Sequence, residues 1–70
     1  MQALSEARPG ETYTIKWVFG VPEVLEFLHS HHVEEGGTIR LIHRCYDSVI
    51  IGIQDKRFVI GDEIAERIKV

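Results

Sequence analysis

Cysteine is nearly absent from the sequence, since Cys45 is the single cysteine among 70 residues. One thiol cannot close an intramolecular disulfide, which excludes the small secreted domains that depend on such bonds and favours a cytoplasmic location. Long hydrophobic runs are also missing, because stretches such as 17–21 and 49–53 are far shorter than the roughly 20 apolar residues of a transmembrane helix. The first residues include Glu6 and Arg8 and lack an apolar core. We therefore expect neither a secretion signal nor direct membrane insertion.

Basic residues are too few for a sequence-independent nucleic-acid-binding protein. Eight lysines and arginines stand against eleven aspartates and glutamates, which gives a formal net charge of −3. Nonspecific binding to nucleic acid depends on clustered lysine and arginine, and no basic stripe is visible. The six glycines also never fall into the spacing of a phosphate-binding loop or a dinucleotide fingerprint. We expect no nucleic acid partner and no direct binding of GTP.

The length allows one domain over residues 1–70, because a second hydrophobic core would not fit. A chain of this size buries only roughly 60% of the surface that its unfolded form exposes. Its stability should therefore depend on closure of the fold or on a partner.

The residue pattern predicts a mainly β fold of about five short strands. Arg8–Glu11 has the Pro-Gly centre of a type II turn. The alternation of Tyr13, Ile15 and Trp17 with polar residues then predicts a first strand over 11–18, with these three side chains directed inward. The other strands are predicted over 38–44, 49–54, 57–60 and 68–70.

Two helical segments are predicted between these strands. Pro22 suits a first helical position, and the apolar residues that follow at helical spacing predict a short helix through about His31. A helical turn is expected after Gly61, and a tight reversal at Asp55–Lys56. Because a small open sheet would leave its edges and one face exposed, the predicted architecture is a closed, small SH3-like β-barrel.

In combination these residues resemble the FeoA family, the small cytosolic proteins of bacterial ferrous iron transport. The resemblance rests on the opening Leu4–Glu6 and Pro9–Glu11, on Gly36 followed by alternating apolar residues, and on the ending Phe58–Val70. It implies an SH3-like barrel and a non-enzymatic accessory role. The implied partner is the membrane ferrous iron permease with its cytosolic GTP-binding domain, which would hold the protein at the inner face of the membrane.

Two positions depart from the family pattern. His32 stands where the family usually has glycine, at a point where the backbone is expected to turn left-handed. Gly61 stands where a basic residue is frequent. The same module also resembles the C-terminal domain of iron-dependent repressors, but no helix-turn-helix segment precedes it in this sequence, which disfavours a DNA-binding regulator.

Histidine and cysteine side chains supply the candidate metal ligands, which are His29, His32, His43 and Cys45. Imidazole and thiolate bind ferrous iron and zinc well. The His-x-x-His spacing is nevertheless weak by itself, and no Cys-x-x-Cys pair accompanies it. The favoured interpretation is that the protein has no cofactor. A carrier or sensor of Fe²⁺ or another transition metal is the alternative function.

Catalysis is not expected. Cys45 and His43 lie two residues apart on the second strand and could face each other, but no orienting acid accompanies them. Partner binding is the more plausible role for exposed side chains, since aromatic residues dominate many interfaces. The candidates for that role are Phe19, His32 and Tyr46, while the other aromatic residues are expected mostly in the core.

Overall fold

The computed structural model describes residues 1–70 and contains six strands, two α-helices and one 3₁₀ helix. The strands are β1 (Thr12–Thr14), β2 (Trp17–Val18), β3 (Thr38–Arg44), β4 (Ser48–Ile53), β5 (Lys56–Gly61) and β6 (Ile68–Lys69). The helices are α1 (Pro22–Ser30), α2 (Asp62–Ala65) and the 3₁₀ helix at Leu4–Glu6. None of the helices is long and apolar enough to cross a membrane.

The strands form two antiparallel sheets. Four strands pair in the order β1-β3-β4-β5, and β2 pairs with β6 in a separate two-stranded ribbon. The predicted mainly β architecture is confirmed, with one helix after the first strand segments and a helical turn before the last strand. The predicted closure is wrong, because the two hydrogen-bonded sheets do not join into one continuous barrel.

The strand predicted over 11–18 divides into two because the chain changes its pairing partner at Ile15 and Lys16. β1 pairs with β3, and β2 pairs with β6. Between them the backbone N–H of Ile15 donates to the carbonyl of Gly37 at 2.8 Å, and that of Lys16 donates to the carbonyl of Lys69 at 2.8 Å. This exchange of partners explains why six strands are observed where about five were predicted.

The exchange also reverses the alternation of buried and exposed side chains. Ile15 and Val18 are both buried although their positions differ by three, an odd number that strict alternation would place on opposite faces. Trp17 is consequently directed outward and is 50% exposed, so its predicted place in the core is wrong. Ile15 is buried as predicted, and Tyr13 is partly buried against the core.

Several other predicted elements are confirmed. β3 has the predicted bounds, and Pro22 occupies the first turn of α1. Gly10 has φ +89, as a type II turn requires at that position, and the N–H of Glu11 lies 3.4 Å from the carbonyl of Arg8.

The reversal between β4 and β5 lies one residue earlier than predicted. Ile53 pairs with Lys56, so the turn residues are Gln54 and Asp55 rather than Asp55–Lys56. Gln54 adopts φ +57 although no glycine is present. The sequence did not predict this conformation of Gln54, because two-residue hairpin turns usually place glycine or asparagine at positive φ.

One apolar core lies between the two sheets and the helices, and every fully buried side chain is apolar. The largest are Leu4, Ile15, Leu28, Ile39, Leu41, Ile51 and Ile68. The termini lie together at the edge of this core. Gln2 and Val70 exchange two backbone hydrogen bonds of 3.0 and 2.8 Å, which places the N-terminal segment beside β6.

Arg44 fixes the 3₁₀ helix over the core. From the end of β3 its partly buried guanidinium donates to the carbonyls of Ser5 and Ala7, the second at 2.6 Å. Charge-assisted hydrogen bonds of this kind are stronger than neutral ones. Arg44 therefore connects the N-terminal segment to the four-stranded sheet.

We expect Arg44→Ala to lower the free energy of unfolding by about 1–3 kcal/mol, because it leaves two carbonyls without their donor. Urea denaturation followed by circular dichroism measures the change. Arg40→Ala is the matched control, since Arg40 is exposed on the same strand and its loss should cost less than about 0.5 kcal/mol. Equal losses in the two variants would contradict this role of Arg44.

Candidate functional site

The structure does not bring the four candidate metal ligands into one cluster. His29 is exposed near the end of α1, and His32 is exposed just beyond it. His43 on β3 and Cys45 after it are also exposed. No group of three or more histidine, cysteine, aspartate or glutamate side chains is placed to hold a metal ion together. Metal binding through these residues stays a prediction.

His31 is the histidine with the most developed packing, although its sequence position gave no sign of this. Its ring lies between Phe27 and Phe58, with centroid distances of 4.6 and 4.7 Å. Its Nδ1 lies 2.9 Å from the carbonyl oxygen of Phe27, and because that oxygen only accepts, Nδ1 carries the proton. His31 therefore joins the end of α1 to β5.

His32 has the left-handed backbone that was predicted for it, with φ +66. It lies at one side of an open cleft of about 590 Å³ between the α1–β3 loop and the β4–β5 turn. Gln54, the other non-glycine residue with positive φ, lines the same cleft, together with Glu34, Glu35 and Arg40. The cleft is polar and open, and a partner-binding role of His32 stays a prediction.

Tyr46 and Phe19, the other candidate partner-binding residues, differ in their surroundings. Tyr46 is 100% exposed in the loop between β3 and β4. Phe19 follows β2 and is half-buried beside Trp17, with ring centroids 5.2 Å apart and planes tilted by 38°. A fully exposed ring has no support from neighbouring side chains, whereas Phe19 belongs to a larger surface feature.

We call that feature the aromatic–basic face, and define it as Trp17, Phe19, Arg67 and Lys69 on the outer side of the β2–β6 ribbon. Trp17 pairs directly with Lys69, and the Lys69 ammonium lies 5.5 Å from the centroid of the Phe19 ring. At that distance a cation is attracted to the aromatic face. The backbone N–H of Phe19 donates to the carbonyl of Arg67 at 3.0 Å, which aligns the two chain segments.

Sequence reasoning missed Trp17, Arg67 and Lys69 as members of this face. The sequence predicts Trp17 in the core because polar and apolar residues alternate without interruption from Tyr13 through Ile15 to Trp17. The sequence did offer one signal in Val18, an apolar residue between two aromatic ones. If Val18 is directed inward, alternation along the strand directs Trp17 and Phe19 outward. Lys69 carried no sequence signal, because its position follows from long-range pairing with Trp17.

The fold defines the chain as an SH3-like domain. A family model for the FeoA domain matches residues 2–70, so the chain belongs to the FeoA family. Among solved structures it is similar to the crystal structure of an iron uptake regulatory protein, FeoA, with a TM-score of 0.86 and 28% sequence identity. The match covers 94% of this chain and 89% of that one. No match was found among the curated proteins compared.

Larger metal-dependent regulators contain a similar fold. The match to a manganese-dependent transcriptional repressor has a TM-score of 0.87 and 20% identity, and covers 96% of this chain but 39% of that one. A metal-dependent transcriptional regulator, MtsR, matches with a TM-score of 0.81 and 17% identity, over 96% of this chain and 34% of that one. These likenesses show the shared fold alone. The FeoA match supports involvement in ferrous iron transport.

We expect His32→Gly to raise the free energy of unfolding by about 0.5–1 kcal/mol, because glycine adopts a left-handed backbone without the strain of a side chain. Thermal or urea denaturation measures the gain. His29→Gly is the matched control in α1, where glycine should instead cost about 0.5–1 kcal/mol. A loss of stability in His32→Gly would show that the histidine side chain contributes more than its backbone strain costs.

Proposed function

We propose that this protein is a non-enzymatic accessory protein of a bacterial ferrous iron uptake system. The observation that carries the proposal is the match of the FeoA domain model to residues 2–70. In this proposal the protein works in the cytoplasm and docks on the cytosolic part of the ferrous iron permease, which contains a GTP-binding domain. The docking places it at the inner face of the membrane without any insertion of its own.

The distribution of side chains supports binding rather than catalysis. No polar or charged residue is fully buried, whereas most enzyme active sites depend on enclosed, preorganised polar groups. Cys45 lies exposed at the end of β3. The polar cleft beside His32 is open, with Ile53 as its one hydrophobic lining residue.

The exposed hydrophobic side chains support a docking role. Six large hydrophobic residues are exposed on a chain of 70. They are Met1, Trp17, Val21, Phe27, Tyr46 and Val59. Three of the six are aromatic, and tryptophan and tyrosine are over-represented among the residues that carry binding energy at protein interfaces.

We expect the protein to bind the isolated cytosolic GTP-binding domain of the permease in a saturable, one-to-one manner. Isothermal titration calorimetry should be carried out without nucleotide, with GDP and with a non-hydrolysable GTP analogue, because the partner's nucleotide state can change the docking surface. The cytosolic domain of an unrelated GTPase serves as the control. Absence of binding in all three nucleotide states would contradict the proposal.

A further inference from the structure

We infer that the aromatic–basic face is the docking surface, and that it takes an acidic segment of a protein partner that also carries an exposed apolar side chain. The inference rests on the proposed function for the identity of the partner. Its chemistry rests on the geometry and charge of the face itself.

The geometry of the face suits a small, preorganised contact. Trp17 and Phe19 support each other at 5.2 Å, and Lys69 lies against the Phe19 ring. Backbone pairing holds Trp17 opposite Lys69, and the contacts of both side chains with the Phe19 ring limit the freedom that binding would remove. The exposed half of Trp17 supplies apolar area that an apolar side chain of the partner can cover.

The charge of the face is opposite to that of the rest of the molecule. The four residues of the face contribute two basic side chains, Arg67 and Lys69, and no acidic one. The remaining 66 residues contribute six basic and eleven acidic side chains. A ligand confined to this face therefore meets a positive surface, which favours carboxylates.

The same charge distribution disfavours a lipid surface or a nucleic acid duplex. Electrostatic interactions are screened beyond about 8–10 Å at moderate salt, so a ligand responds mainly to the charges near its contact. A bilayer or a duplex is a broad anionic surface and would also approach the acidic remainder of the chain. A protein segment can contact the face alone, so the observations favour a protein partner.

Trp17 provides a direct readout because it is the only tryptophan in the chain. The full-length protein should be titrated with a soluble peptide of glutamates around a central leucine, and in parallel with the permease's GTP-binding domain. We expect Trp17 emission to shift to shorter wavelength as water leaves the ring, and the response to weaken as salt is raised. A peptide with lysine in place of glutamate should cause no shift.

Lys69→Glu tests the face without removing the fluorophore. We expect at least a tenfold weaker affinity for the acidic peptide, because a carboxylate then faces the ligand's own carboxylates. Lys56→Glu is the matched control, since it makes the same change of charge at an exposed position beside the β4–β5 turn. Circular dichroism of both variants verifies that they are folded. Equal affinities in the two variants would overturn the inference.

The other outcomes separate this inference from the proposed function. If the GTP-binding domain binds but Trp17 emission does not change, the proposed function stands and the face is the wrong surface. If the acidic peptide binds and the domain does not, the chemistry of the face stands and the partner is a different protein. Three other results would overturn the inference. They are no response to the acidic peptide, a response to anionic phosphatidylglycerol vesicles alone, and a shift of Trp17 emission that follows self-association of the protein.

Discussion

The exchange of hydrogen-bonding partners at Ile15 and Lys16 is the constraint on which the rest of the structure depends. Up to Ile15 the chain follows β3, and from Lys16 it follows β6. The same short segment therefore contributes to both sheets and lets them enclose one core. In a chain of 70 residues this economy matters, because a single core must stabilise the whole fold.

That exchange also determines which side chains are available for function. It turns Val18 inward and leaves Trp17 and Phe19 on the outside, against Lys69. The aromatic–basic face thus results from the same change of pairing partner that lets the two sheets enclose the core. The other histidines, by contrast, are exposed at the end of α1 or on β3, and His31 packs against aromatic rings. The molecule is better suited to presenting a surface than to enclosing a reactive group.

Local patterns predicted much of this fold, and long-range pairing accounts for most of what they missed. The bounds of β3 and the start of α1 were visible in the sequence because each depends on nearby residues. The left-handed backbone at His32 was expected from the resemblance to a family that usually has glycine there. The outward direction of Trp17 depends on which strand it pairs with, and alternation alone carries no such information. The open barrel and the aromatic–basic face were missed for the same reason.

We propose that this FeoA-family protein acts by presenting the outer side of its β2–β6 ribbon to a protein partner. The most direct test is nuclear magnetic resonance of the isotope-labelled protein, with amide chemical shifts recorded before and after addition of the permease's cytosolic GTP-binding domain. We expect the largest shifts within residues 16–19 and 67–69. Shifts centred on the cleft beside His32, or on the exposed loop around Tyr46, would contradict the proposal.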